Sequence, residues 1–346
     1  MRVLFHQRRP HPHQVSIEQV FDGVRGHLPP RVTSAVALDP EPSHGVMPRV
    51  KAVIAAGRTR RGADVHHMTG DTTFVTLALP RRRTVVTIHD CEILDRLSPA
   101  AGLVYRALWL QLPVSWAAVT TVVSPATADH LRRVLWRPPR DLRVVPNAVT
   151  DRIGGPRAEA ATVAVATTGR PVVLAVGTAP NKGIERLAAA TAGMDIDVRI
   201  VGALSNDQRS RLTTGRGPAR LDERGQVPAD LLLDAYAGVD VLVVASTREG
   251  FGLPILEAQT LGIPVICTDA APLPWVAGPG GARLVPVGAV GATDDGSLRT
   301  AIEDVLADPA LAATLVEAGR TNVARFSQAA TAAAYLEIYD ELATRR

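Results

Sequence analysis

Residues 240–261 read as strand, glycine-broken loop and helix, and no other stretch narrows the choice of fold as much. The strand is the apolar run Asp240-Val-Leu-Val-Val-Ala245, the loop carries Gly250 and Gly252, and Ile255-Leu-Glu-Ala-Gln-Thr-Leu261 reads as a helix. A turn of this kind points backbone N–H groups at an anion or a sugar hydroxyl. The glycines let a ligand approach the main chain, and Pro254 suits a first helical turn, where its missing N–H costs nothing. Glu249 at the strand end and Glu257 one turn inside the helix can face the same crevice. Taken alone, the pattern is equally that of a tight turn with two solvated glutamates.

Strand-like and helix-like runs alternate along the whole chain, which predicts an α/β protein with doubly wound parallel sheets. A length of 346 residues suits two domains, and a hydrophobic share of 46% with mean hydropathy +0.10 excludes a disordered chain. The first half predicts strands at 2–5, 32–37, 64–68, 84–88, 119–123 and 143–145, with helices at 16–26, 46–56, 100–116 and 125–135. The second half predicts strands at 172–176, 197–201, 240–245, 264–267 and 283–285. Its helices fall at 184–191, 229–237, 255–261, 297–306, 310–324 and 327–342. The weakly patterned run 154–170 reads as the connection. This places an N-terminal domain at 1–155, a C-terminal domain at 156–326 and a terminal helix at 327–346. Two such domains would face each other across a cleft at the carboxyl ends of their strands.

The string Ser246-Thr-Arg-Glu-Gly-Phe-Gly-Leu-Pro-Ile-Leu-Glu-Ala258 resembles the donor-site signature of the family-4 retaining glycosyltransferases (glycosyl transferases group 1). These have the GT-B fold, two Rossmann-like domains. The resemblance extends over the chain, strongest at 171–276 and looser before residue 60. It implies transfer of a sugar from a nucleotide-diphosphate donor, GDP-mannose or UDP-hexose in type, to an acceptor hydroxyl with retention. Glu257 would hold the ribose hydroxyls. Glu249 would orient the donor sugar, and the backbone at Gly250, Phe251, Gly252 and Leu253 would bind sugar or phosphate. It also implies a terminal helix that packs on the N-terminal domain, and no metal or other cofactor.

The loop after the strand 172–176, Gly177-Thr178-Ala-Pro-Asn181-Lys182-Gly183, resembles the family's diphosphate-binding segment. The chain has two lysines, Lys51 and Lys182, against 36 arginines, so a lysine in this loop stands out. Its compact ammonium suits a diphosphate oxygen, and the resemblance makes it the group that stabilises the leaving group. The family's usual arginine is here Asn181, which leaves half of a cationic pair missing; Arg248 is a candidate substitute. Gly225-Gln-Val227 resembles the loop whose backbone meets the nucleotide base. Asn147-Ala148 stands where the family has an Asn-Gly turn.

In the first half, His89 and Asp90 end a predicted strand, where a histidine can bond a phosphate or hydroxyl. In relatives a histidine here borders the sugar and diphosphate. His67-x-x-Gly70-Asp71 resembles an acceptor-side motif of a bacterial subset of the family, although His66 and His67 equally suit a core or a turn. The pair lacks a third ligand, so no metal site is expected. The loop His6–Ser16 holds no glycine, unlike the family's first loop, and its histidines and arginines suit an acceptor or solvent.

Residues 1–150 carry net charge +9 and residues 151–346 carry −5. The basic half suits an anionic partner such as a membrane surface, while no nucleic-acid fold signature is present. Residues 107–128 are uncharged but hold two prolines and six other polar side chains, so they read as helix and buried strand, not as a span. Two distant cysteines and the lack of a signal-peptide pattern suit the cytosol, with membrane association at its inner face. Three other readings of the same residues stay open. Glu249 and Glu257 could flank a glycosidic bond in a hydrolase, a sugar-nucleotide epimerase shares the architecture, and a non-catalytic partner subunit would keep the fold.

Overall fold

The computed structural model describes residues 1–9, 16–40, 45–150, 153, 169–214, 217, 219–228, 231–287 and 296–345. Most of the predicted connection 154–170, much of the loop 6–16 and the first two residues of the helix expected at 229–237 lie outside these. The chain divides into two compact units, Met1–Ala148 with Gln328–Arg346, and Val149–Ser327.

Unit 1 is built on six parallel strands: β1 (Arg2–Gln7), β2 (Thr33–Leu38), β3 (Val65–Met68), β4 (Thr84–Ile88), β5 (Val119–Val122) and β6 (Leu142–Val144). Their order is β2-β1-β3-β4-β5-β6. Helix α1 (Ser16–Gly26) and the C-terminal helix (Gln328–Thr344) cover one face, over a core of Phe5, Phe21, Tyr335 and Tyr339. The other face carries α2 (Val46–Arg58), a tight turn at Thr73–Ala78, a helical run 99–116 and α5 (Pro125–Val134). That run is α3 (Pro99–Tyr105), a π-helical stretch Arg106–Gln111 and α4 (Leu112–Trp116). Pro113 lacks the N–H that would reach the Trp109 carbonyl, and the Thr73 hydroxyl donates to that carbonyl instead. β5 begins three residues after Trp116, in line with the helix-then-strand expectation.

Unit 2 repeats the plan with β7 (Val172–Val176), β8 (Asp197–Val201), β9 (Arg220–Gly225), β10 (Val241–Val244), β11 (Val265–Thr268) and β12 (Arg283–Val285). All pair in parallel, in the order β12-β11-β10-β7-β8-β9. Its helices are α6 (Ile184–Ala190), α7 (Asn206–Thr213), α8 (Leu232–Tyr236), α9 (Leu253–Thr260), α10 (Leu273–Ala277), α11 (Ser297–Ala307) and α12 (Pro309–Val323). Three of these elements were not expected. β9 reads Arg-Leu-Asp-Glu-Arg-Gly, and charge at that density suits only an edge strand. Arg199 on β8 holds Asp222, and Arg209 on α7 holds Glu223. α7 opens with a capping box between Ser205 and Gln208, a Ser-x-x-Gln signal legible in the sequence. α10 is too short to show a period.

Because every strand of a sheet runs the same way, the loops that follow them open on one edge. In unit 2 the chain leaves β7 toward β8 on one side while β10 lies on the other. The loops after β7 and β10 therefore flank the point where strand order reverses, where open α/β sheets bind ligands.

Three buried histidines, His6, His66 and His67, and the partly buried His89 make unit 1 sensitive to acid. Burial pushes His6 down to about 3 and also lowers His66, His67 and His89. The folded state resists protons that the unfolded chain accepts below pH 6.5, so these groups remove stability as pH falls through that value. Asp39, raised to about 6 by burial, and Glu257, also raised by burial, act in the opposite sense. With four groups against two, the urea midpoint is expected to fall from pH 7 to pH 5. His6 alone would contribute about 2 kcal/mol of that loss. A midpoint constant over this range would overturn the expectation.

Candidate active site

Lys182 and Glu249, 67 residues apart, meet at the carboxyl edge of unit 2. Gly177 follows strand β7, and Pro180–Lys182 form one tight turn before α6. Gly177 has φ +93°, and a Cβ there would come within 2.9 Å of Lys182 Cε, so the lysine stem lies across the glycine. Gly183 closes the turn with φ +69°, and a Cβ would press to 2.2 Å from the Ala245 carbonyl oxygen. The turn is thereby packed on the end of β10. Lys182 Nζ donates to Glu249 Oε1 at 2.6 Å, and Ser246 Oγ donates to the same oxygen at 2.7 Å. Glu249 is 10% exposed in its side chain and Lys182 23%. An ammonium has three N–H donors, so one bond to Glu249 leaves capacity for an anion.

Asn181, which stands where the family has arginine, ties the two loops together. Its Nδ2 donates to the Arg248 carbonyl at 2.9 Å, and its own carbonyl accepts from Thr247 N at 2.9 Å. Arg248 is exposed on the second loop.

Glu257 lies one turn into α9, which begins after Gly252 at φ +108°. The residue is buried, 9% exposed, and Tyr236 on α8 donates its hydroxyl to Oε2. Burial pushes the Glu257 carboxyl up, opposed by the Tyr236 bond, and burial likewise pushes the Tyr236 phenol up. Nothing around Tyr236 in the sequence marks it as a partner of Glu257.

The remaining donor-side residues divide between main chain and core. Phe251 is buried, its ring 6.3 Å from Trp275 and 5.8 Å from Phe326. Only its backbone remains for a ligand, as at Gly250 and Gly252, while Leu253 is partly exposed. Thr178 donates its hydroxyl to the Ala203 carbonyl at 2.7 Å, and its carbonyl accepts from Gln208. Val227 lies two residues beyond β9 at the same edge of the sheet.

In unit 1, His89, Asp90 and Asp71 come together around a pocket of about 90 Å³ that Tyr105 and Trp109 also line. His89 Nε2 meets the Thr69 carbonyl oxygen at 2.8 Å. That oxygen can only accept, so Nε2 carries the hydrogen and Nδ1 is left as an acceptor. Burial pushes the ring's pKa down, which favours the neutral form. Asp71 pairs with Arg8 at 3.2 Å, and Arg8 also holds the buried Glu18 at 2.9 Å, a network not expected from the sequence.

His67 does not join this group. It is fully buried, with Nδ1 2.7 Å from the Tyr339 hydroxyl and Nε2 2.7 Å from Thr87 Oγ1. Both ring nitrogens are spent on the protein, so the acceptor-side role expected of His67 gives way to a core role. Side-chain alternation on β3 explains it, since His67 shares the face of Val65 and meets Phe5 and Tyr335.

Comparison with known proteins bears on the family and the fold. The family profile "Glycosyltransferase Family 4" matches residues 2–152, and "Glycosyl transferases group 1" matches residues 158–322. The chain is 28% identical over 232 residues to the MMP alpha-(1->4)-mannosyltransferase of Mycolicibacterium hassiacum, covering 64% of this chain and 54% of that protein. It is 39% identical over 103 residues to the GDP-mannose-dependent alpha-mannosyltransferase of Mycolicibacterium smegmatis, covering 30% and 26%. The aligned part thus spans about half or less of these curated relatives. The fold matches sucrose-phosphate synthase from Thermosynechococcus elongatus at a TM-score of 0.75 and 22% identity, over 99% of this chain and 98% of that one. Two parallel six-stranded sheets, both family profiles in chain order and a shared fold over nearly the whole length place this chain in the family-4, group 1 glycosyltransferases of the GT-B fold.

Proposed function

We propose that this chain is a retaining mannosyltransferase that uses GDP-mannose and needs no metal. The observation that carries the reading is the Lys182–Glu249 contact at the edge where strand order reverses, with Glu257 one turn into the following helix. Lys182 supplies positive charge to the leaving diphosphate, which is the role a metal would otherwise take. Glu249, oriented by Lys182 and Ser246, meets the hydroxyls of the donor sugar. Glu257 accepts from the ribose hydroxyls, and the backbone of 250–253 at the start of α9 binds sugar or phosphate. The bond from the anomeric carbon to the phosphate oxygen breaks while the acceptor oxygen bonds on the same face. The departing phosphate oxygen takes the acceptor proton, so no side-chain nucleophile is required. The names of the mycobacterial relatives support mannose and guanosine. The acceptor is a hydroxyl compound, free or lipid-linked, and the protein works in the cytoplasm.

Calorimetric titration of GDP, UDP, dTDP and ADP into the purified protein, with a chelator present, tests this directly. GDP is expected to bind more tightly than the other three, unaffected by the chelator. Preference for another nucleotide would overturn the guanosine assignment. Binding only when a divalent ion is supplied would overturn the metal-free mechanism, and no binding at all would favour a non-catalytic subunit.

A further inference from the structure

The pocket at the carboxyl edge of unit 1 is lined against the charge of its own half of the chain. Residues 1–150 carry net charge +9, yet among the described residues the lining holds Asp71, Asp90 and His89 and neither lysine nor arginine. Arg8 pairs with Asp71 at 3.2 Å but also gives its Nε to Glu18 at 2.9 Å, so two carboxylates already answer that guanidinium.

The polar groups that the pocket offers mostly accept hydrogen bonds. His89 gives its Nε2 hydrogen to the Thr69 carbonyl oxygen, which leaves Nδ1 as an acceptor. Asp90 is exposed and accepts from Glu92 N through one oxygen, which leaves its other lone pairs for a ligand. The Asp71 side chain is 56% exposed. The hydroxyls of the lining are engaged within the protein, Thr73 at the Trp109 carbonyl and Thr87 with His67 and Thr121. A ligand here has to supply most of the donors.

The aromatic wall adds a second requirement. The rings of Tyr105 and Trp109 stack at 5.5 Å with their planes 12° apart, where α3 passes into the π-helical stretch Arg106–Gln111. Such local widening of a helix is frequent at functional sites. A pyranose or cyclitol ring has the complementary form, with a C–H face for the aromatic ring and an edge of hydroxyls for the acceptors. About 90 Å³ admits several water-sized groups, so the hydroxyl edge of one ring enters while the rest of the ligand stays outside. A phosphate or carboxylate fits badly, since it sets acceptor against acceptor and like charge against Asp71 and Asp90. An ammonium would meet Arg8 beside Asp71 and would gain little from Asp90, which is open to water.

We propose that the acceptor presents to this pocket an uncharged polyhydroxyl ring, a saccharide or cyclitol unit without phosphate, with its hydroxyl edge on His89, Asp71 and Asp90 and its C–H face on Tyr105. The inference rests on the transferase reading above and narrows the acceptor class.

Ligand-observed NMR on the full chain with saturating GDP tests it. The uncharged probes are mannose, glucose and myo-inositol, set beside mannose 6-phosphate, glucose 6-phosphate and myo-inositol 1-phosphate, with glucosamine as the cationic probe. At least one uncharged probe is expected to bind at least about tenfold more tightly than its phosphate ester and than glucosamine. Asp90→Asn, at an exposed position and close in size, is expected to weaken that probe several-fold, and Tyr105→Leu to weaken it by removing the aromatic face. Tighter binding of a phosphate ester or of glucosamine, or no binding of any uncharged probe, would overturn the proposal. So would an uncharged probe that binds a folded Asp90→Asn protein as it binds the wild type. Titration of GDP alone reads the donor assignment separately. A protein that binds GDP but prefers a phosphate ester keeps the transferase reading and loses this one, whereas a protein that binds no GDP loses the transferase reading whatever the ring probes do.

Discussion

Lys182→Ala is expected to lower the turnover of sugar transfer roughly 10²–10³-fold, the usual scale for removing one preorganised group from developing negative charge. The geometry gives a reason to expect the upper part of that range. Lys182 is held by Glu249 at 2.6 Å and by the close passage of its stem over Gly177, so its ammonium is fixed before any ligand arrives. With Asn181 bonded to the Arg248 carbonyl, the arginine that the family pattern supplies beside this lysine is absent from its position. Nucleotide affinity should fall less than turnover, because charge on the diphosphate grows as the sugar leaves. Lys182→Arg should recover little, since a guanidinium is longer and planar and would have to pass the same glycine. Steady-state kinetics beside thermal melts separate loss of chemistry from loss of fold. A folded Lys182→Ala protein with near wild-type turnover would remove this residue from the mechanism.

Glu257→Ala is expected to weaken GDP binding roughly 10- to 100-fold, the scale of about 1.5–3 kcal/mol for hydrogen bonds to a charged group. Titration with GDP and with its 2′,3′-dideoxy analogue assigns the loss to the ribose. The wild-type protein should prefer GDP, and Glu257→Ala should bind both equally. Tyr236→Phe removes the hydroxyl that orients Glu257 Oε2 and keeps the ring that fills the core. It should narrow the preference for GDP by several-fold without abolishing it. A wild-type protein indifferent to the ribose hydroxyls would end the Glu257 assignment. A Tyr236→Phe protein with the full preference would show that Glu257 needs no such support.

The donor-side loops were legible in the sequence because their signals are local. Glycines at 177, 183, 250 and 252, a proline at the helix start and a rare lysine all sit within short stretches beside apolar strands. Most strands and helices were legible for the same reason. β9 was not, because an edge strand that manages its exposure with charge has no apolar run to read. α7 was readable from its Ser205–Gln208 cap but lacks an apolar stripe. The helical run 99–116 was expected whole, and its π-helical centre followed from Pro113 leaving the Trp109 carbonyl to the Thr73 hydroxyl, a contact across the fold.

The sequence by itself determined the α/β alternation, the loops that close each strand and the chemistry those loops carry, since each depends on neighbours within a few residues. Only the tertiary structure decided which of those groups meet. It set Lys182 on Glu249 across 67 positions, gave Glu257 a tyrosine from another helix, and divided two similar histidines between different tasks. His89 reaches a pocket, while His67 spends both nitrogens on Tyr339 and Thr87, the first of them 272 residues away. It also turned the alanines of α2 inward and its larger apolar side chains outward, against the usual sense of an amphipathic helix. Local propensity acts along the chain, but packing and hydrogen-bond satisfaction act across the sheet, where sequence distance carries no information.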